Sequence, residues 1–322
     1  MNELVSIIIP CFNASKYIFR CLNSLICQTY KNIEIICVND GSSDNTLTIL
    51  NYFSIFDKRI KVFSNSNHGV SFSRNTGLEK SNGKYICFVD CDDFVSERYI
   101  EQMVKYFFIS ETDLVVCGFD TFDKCLHFST PAEEFVLPNN SGELLHLVFD
   151  SPIFNPPWNK MFKKQLIKNE FNNSYSLGED VLFNCQYVKN IKSISFINKP
   201  LYFYNINGTN KLTNSFKNSS FDALKELFCC LKTSCKDEYD FRGLNTYIAR
   251  KVIELINIMF HSKLPTRAKK NYFYDLCLDS FWNDIFCNVE VNFKNKKELS
   301  YIIRKKYLSY RFFMFVKKFC FK

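Results

Sequence analysis

The sequence has few of the residues that build the commoner metal and redox sites. It contains four histidines in 322 residues, and no Cys/His group has the spacing of zinc ligands, which excludes an ordinary zinc site. Its fifteen cysteines include no C-x-x-C pair. Several of them (Cys37, Cys87, Cys117) sit inside apolar runs, where a free thiol behaves as a small hydrophobe. No uninterrupted apolar run reaches the ~18 residues of a spanning helix. The opening MNELVSIIIP lacks the basic segment and cleavage site of a signal peptide. These absences predict a reduced, cytoplasmic chain without a membrane span. No internal repeat is evident.

Apolar residues are plentiful, at 47% of the chain, enough for one large domain and an appendage. The formal charge of +8 is uneven. Residues 294–322 hold ten Lys or Arg against one Glu, so the rest of the chain is close to neutral. A neutral body with a basic tail argues against a domain that coats nucleic acid.

The first ~120 residues alternate apolar runs with helical periodicity, the pattern of a mostly parallel sheet in an α/β fold. Strands are predicted at 5–9, 33–38, 60–63, 85–89 and 114–117, with helices near 15–28, 44–54, 69–81 and 96–109. Irregular β structure follows at 119–137, then a helix near 141–150 and the proline-rich turn SPIFNPPW. Further helices are predicted near 163–169 and 179–189, and a strand near 192–198. From 219 onward the pattern is mostly helical, with a break at Leu264–Pro265. A domain boundary is expected near 215, giving 1–215 and 216–322.

The richest segment is KYICFVDCDD, an apolar strand running into Asp90, Asp92 and Asp93. Ligands collect at the C-terminal ends of strands in open α/β sheets. Acids packed so closely there repel one another unless a cation lies among them. Mn²⁺ or Mg²⁺ carrying a diphosphate suits such oxygen ligands. The structural alternative is an acidic strand-to-helix junction with a helix cap.

Other strand ends carry weaker signals. The turn PCFN, with Pro10 and Asn13, precedes a helix N-terminus suited to phosphate or a nucleobase edge. Asp40 stands at the tip of the second strand without an evident structural task, and could accept the N3–H of a uracil ring. Asp44 is better placed as a helix cap. Arg74 follows the third strand and can clamp phosphate or form a surface ion pair.

Together the segments VSIIIPCFN, VNDGSSDNT, GVSFSRNTGLEKSNGKYICFVDCDD, PWNKMFKKQLI and LGEDVLFN resemble the family 2 glycosyltransferases over residues 4–190. The resemblance implies a GT-A nucleotide-sugar fold. It places Asp40, Pro10 and Asn13 around the base of a nucleoside-diphosphate sugar, most readily a UDP-sugar, and Arg74 near the diphosphate or sugar. It gives Asp90 and Asp92 the D-x-D role, with Asp90 near the ribose and Asp92 on the metal. Asp180, paired with Glu179, becomes the general base of an inverting transfer. Both acids also suit the first turn of a helix, where the dipole favours them. Trp158 and Lys160 fall in a block near the acceptor side, where Trp158 could stack on a sugar or serve as a buried hinge. The stretch after Tyr202 lacks the Arg seen in many relatives, with no basic residue before Lys211.

The tail RKKYLSYRFFMFVKKFCFK (304–322) mixes basic and aromatic residues. Leu308, Phe312, Phe315 and Phe319 share a helical stripe, suited to an interfacial helix on an anionic inner leaflet or to packing on the body. The expected function is a metal-dependent inverting glycosyltransferase of surface-polysaccharide assembly, acting on a saccharide acceptor, plausibly lipid-linked. A sugar nucleotidyltransferase would need a glycine-rich basic loop, and PCFNASKY has no glycine. The competing class is a non-catalytic membrane-surface scaffold on a degenerate transferase fold.

Overall fold

The computed structural model describes residues 2–122, 127–128, 136–138, 153–175, 178–206, 219–289 and 296–310. The chain divides into two compact units, whose described residues lie up to 206 and from 219. The expected boundary near 215 and the helix near 141–150 lie outside the described residues.

The first unit is built on strands whose β-branched content suits burial on both faces. Strands β1 (Val5–Cys11) and β2 (Ile33–Asp40) are buried along their whole length. With β3 (Ile60–Asn65) and β4 (Tyr85–Phe88) they pair in parallel, in the order β3-β2-β1-β4. The crossovers are α1 (Ile18–Ile26), α2 (Thr46–Phe56) and α3 (Val70–Lys80). Helix α3 lies tight on β1 at Gly77, where a Cβ would come within 2.2 Å of the Ile8 side chain. This parallel half brings the ends of β1, β2 and β4 to one edge.

Beyond β4 the chain adds β5 (Phe94–Val95), α4 (Tyr99–Ile109), β6 (Leu114–Thr121), β7 (His127–Phe128) and β8 (Val136–Pro138). The helix expected at 163–169 is corrected: residues Lys160–Lys163 form strand β9, followed by one 3₁₀ turn at Lys164–Leu166. The reason is long-range. β9 lies antiparallel between β4 and β6, with Phe162 facing both Ile86 and Leu114, and neighbours on both sides satisfy its backbone. Helix α5 (Glu179–Val188) and β10 (Ser193–Tyr204) complete the unit. β10 runs parallel to β6 and is longer than predicted, continuing through an irregularity between Ile197 and Tyr202 to reach β5. The sheet is thus a mixed one, in the order β3-β2-β1-β4-β9-β6-β10-β5.

The second unit is helical among its described residues: α6 (Ser219–Lys232), α7 (Glu238–His261), α8 (Thr266–Leu278), α9 (Ser280–Cys287) and α10 (Lys296–Ile303). Asp237 caps α7 by accepting the Asp240 N–H at 2.8 Å. Past the break at Leu264–Pro265, Lys269 Nζ donates to the Phe260 and Ser262 carbonyls that end α7. Tyr307 and Tyr310 are buried against Phe260 and Phe273, while Leu308 points outward and is 75% exposed. The tail stripe beyond Leu308 lies outside the described residues. Among those described, no helix is long and apolar enough to cross a membrane.

Candidate active site

The ends of β1 and β2 are stitched together by short polar side chains. Asn13 has a left-handed backbone (φ 47°), and its Oδ1 accepts the Ser43 N–H at 2.9 Å. Its own N–H donates to Ser42 Oγ at 3.0 Å. Asp44 accepts from the backbone N–H groups of Thr46 and Ser15, each at 3.0 Å, so it ties the first residue of α2 to the first loop; the cap position expected for it is taken by Asn45, one residue later. Burial alone would raise its carboxyl, but the hydrogen bonds from Thr46 and Ser15 outweigh that and bring it down to about 2. Pro10 is buried within β1, opposite Val38.

Asp40 is corrected in one respect: it does have a structural task. Its Oδ1 accepts the His68 N–H at 2.9 Å and its Oδ2 the Gly69 N–H at 2.7 Å, tying β2 to the start of α3. It turns inward because Gly41 follows at φ 69°, where a Cβ would meet the Asn67 backbone nitrogen at 2.8 Å. Each oxygen keeps a second lone pair for a further donor.

At the end of β4 the turn is closed by the Asp93 N–H donating to the Asp90 carbonyl at 3.0 Å. Asp93, whose role the sequence left open, is fully buried. Its carboxylate accepts the Tyr202 hydroxyl at 2.6 Å and the Asn205 N–H at 2.7 Å. Tyr202 in turn accepts the Asp90 N–H at 3.1 Å. Burial, then the charges of Asp92 and Asp90, push the Asp93 carboxyl well up. Asp93 is therefore the anchor of the turn, and it leaves Asp90 and Asp92 half-buried at the sheet's edge.

Arg74 joins this turn to the start of α5. Its buried guanidinium donates to Asp90 Oδ1 at 3.1 Å and to Asp180, and lies 3.8 Å from Glu179. The aromatic floor below it is Phe171, 5.2 Å from the guanidinium and stacked on Phe183 at 4.0 Å. A reciprocal pair of 2.8 Å bonds between the Asn75 side chain and the Phe171 backbone fixes that ring to α3. Arg74 is thus a central buried cation and not a surface ion pair. Burial would lower its pKa, but Asp180, Asp90 and Glu179 raise it further. Burial raises Asp180 against the pull of Arg74. Glu179 is pushed up to about 8 by burial and by the Asp180 charge, again opposed by Arg74.

Trp158 and Lys160 belong to the floor of the same region. Trp158 is buried and stacks on Tyr202 at 4.2 Å, and its carbonyl accepts the Tyr99 hydroxyl. Lys160 is fully buried. Its ammonium donates to the Ile153 and Pro156 carbonyls and to Asn159 Oδ1, at 2.9, 2.6 and 2.8 Å. All three of its protons thus end on protein oxygens, which makes it a brace of the 153–160 turn, and burial lowers its pKa to about 7. Asn184 pins the same turn from α5, donating to the Phe154 and Asn155 carbonyls at 2.9 Å. The sequence reading missed the bracing by Asn184 and by Asn205, because both act across long stretches of chain.

The profile described as glycosyl transferase family 2 matches residues 6–171. This chain belongs to that family. It is 33% identical over 215 residues to the glycosyltransferase GlyA of Streptococcus pneumoniae serotype 4, covering 64% of this chain but only 31% of GlyA. GlyG from the same organism is 29% identical over 273 residues, covering 80% of this chain and 87% of that one. The fold matches that of S. aureus TarS in complex with UDP-GlcNAc, with a TM-score of 0.70 at 20% identity, covering 95% and 89% of the two chains. The chain is accordingly a family 2 glycosyltransferase with a GT-A-like domain followed by a helical region.

Among the described residues no group of three or more His, Cys, Asp or Glu side chains is arranged to hold a metal. The donor set at Asp90 and Asp92 nonetheless fits a hard divalent cation. Mg²⁺ is ordinarily held by one or two carboxylates together with substrate phosphates, not by an all-protein cage.

Proposed function

We propose that this enzyme moves a sugar from a UDP-sugar to a saccharide hydroxyl with inversion at the anomeric carbon, in surface-polysaccharide assembly. The observation that carries the reading is the Arg74 bridge. One guanidinium contacts both Asp90 at the end of β4 and Asp180 at the start of α5, which supports a reading in which a donor group and a base act on one substrate pair.

In this reading Asp180 accepts the proton of the acceptor hydroxyl as its oxygen bonds to the anomeric carbon. The bond to the diphosphate breaks on the opposite face, which turns an α-linked donor into a β-glycoside. Arg74 orients Asp180 and favours its ionised form against burial. Asp40, Pro10 and Asn13 shape the base end of the donor site. Asp92, with Asp90 beside it, would hold Mn²⁺ or Mg²⁺, which when bound neutralises charge on the leaving diphosphate as a Lewis acid. Trp158 and Lys160 support the acceptor side from beneath. A lipid-linked acceptor would suit attachment of the 304–322 tail to an anionic leaflet.

Thermal-shift measurements with UDP, other nucleoside diphosphates and their sugars, with and without Mn²⁺, test this. A ligand that binds the native state raises the melting temperature by mass action. Stabilisation by UDP only with Mn²⁺, lost in Asp92→Ala, is expected. No shift with any nucleotide would overturn the reading in favour of a scaffold.

A further inference from the structure

The Asp90–Asp93 turn is held from two sides, and the second holder is a residue with no assigned part in the reaction. Arg20 projects from α1, and its Nη2 donates to the main-chain oxygen of Asp92 at 3.0 Å. Its guanidinium lies in the corner where two rings meet edge to face, 4.9 Å from the centroid of Phe94 and 4.7 Å from that of Phe122, the rings themselves 5.6 Å apart. Phe94 is itself stacked on Phe203 at 4.7 Å. Arg20 is half-buried against these aromatic rings, and its Nε is buried with no acceptor among the described residues. The aromatic corner holds the guanidinium, and the guanidinium holds the carbonyl of Asp92.

The consequence falls on the Asp92 carboxylate. Asp93 is anchored to β10 through Tyr202 and Asn205, which locates the far end of the turn. Arg20 adds a restraint at the Asp92 peptide itself, where a rotation would swing its carboxylate away from the site. We propose that Arg20 is a positioning residue for the donor's diphosphate end: it fixes the Asp92 backbone so that the carboxylate meets a diphosphate-bound divalent cation. Partners that orient metal ligands in this way typically change metal affinity by about 10–100-fold when removed. Lysine is no substitute, since its ammonium lacks the planar fork that can rest on the rings and still donate to the Asp92 carbonyl.

This inference rests on the proposed role of Asp92 as a cation ligand, and the test separates the two. Mn²⁺ is titrated into the full-length protein with UDP and, separately, with uridine, and thermal stabilisation is followed. In Arg20→Met the Mn²⁺ concentration for half-maximal UDP stabilisation should rise about tenfold, with uridine binding unchanged. Arg20→Lys should recover little of the loss. Phe122→Leu removes the exposed ring of the aromatic corner without touching the core, and should raise the Mn²⁺ requirement about threefold. Wild-type UDP binding that needs no metal would overturn the Asp92 reading and this inference with it. A metal-dependent wild type whose Arg20 and Phe122 variants titrate identically would overturn this inference alone. Equal weakening of uridine and UDP would also overturn it, since damage would then extend beyond the diphosphate end.

Discussion

The turn at Asp90–Asp93 and the helix start at Glu179–Asp180 are both clusters of carboxylates, yet they are held in opposite ways. The turn is fixed by its buried member: Asp93 takes hydrogen bonds from a hydroxyl and an amide, and Asp90 and Asp92 are left half-exposed. The helix start rests on the buried Arg74, which Glu179 and Asp180 share with Asp90 of the turn. A cluster anchored from behind presents its half-exposed carboxylates toward a cation and diphosphate in the proposed reading. A cluster balanced from within keeps proton affinities that respond to its neighbours, as a general base requires. The proposed function gives binding to the first and proton transfer to the second, and the variants below test that division.

The sharpest way to break that division is Asp180→Asn. The amide keeps an acceptor toward Arg74 but cannot take a proton at neutral pH. We expect kcat to fall about 10³-fold, within the range for loss of a general base, while metal-dependent UDP binding persists. A loss below tenfold would place the base elsewhere. In the wild type, burial raises Asp180, so activity should rise with pH through a limb above the ordinary aspartate range. Steady-state rates from pH 4 to 8 read that limb directly.

A smaller effect is expected from Tyr202→Phe, which removes the hydroxyl that serves both Asp93 and the Asp90 amide. Leaving a buried carboxylate one donor short costs about 2 kcal/mol, which lowers the melting temperature by about 4–8 °C for a domain of this size. Metal-dependent UDP affinity should weaken along with stability, whereas kcat at saturation should hold. If stability falls and UDP binding does not, the turn's order does not depend on its anchor.

Much of the parallel half could be read along the chain, because each piece is a strand, a turn and a helix in succession. The tips at Asn13, Asp40 and Asp90 follow from local periodicity and turn chemistry. What stayed hidden depends on partners far away in sequence. Asp40 looked idle because its amide partners, His68 and Gly69, come after a whole further strand. A helix is expected at 163–169, and the strand just before it at Lys160–Lys163 escapes a reading along the chain, because it depends on β4 and β6 on either side. Trp158 carried two readings until its stack on Tyr202 was seen. Arg20 had no local signal at all, since an arginine in a helix becomes a brace only when Phe94, Phe122 and Asp92 fold around it.

The subtlest test separates the two members of the charge-balanced cluster. Glu179 is pushed up to about 8, so in the folded protein it keeps its proton where an unfolded glutamate would have lost it. The stability this contributes is complete below the ordinary glutamate range and is lost as pH rises through about 8. Glu179→Gln replaces a largely neutral carboxylic acid with a neutral amide, so activity at pH 6–7 should change by less than about threefold, unlike Asp180→Asn. Relative to wild type, the variant's melting temperature should climb with pH from about 5 to about 8 and level off above that, by about 2–4 °C for each kcal/mol relieved. A pH-independent difference would mean that Glu179 is ionised throughout, with Arg74 balancing both acids equally. In that case the helix start would hold two permanent charges, and proton transfer could not be ascribed to one carboxylate by its environment alone.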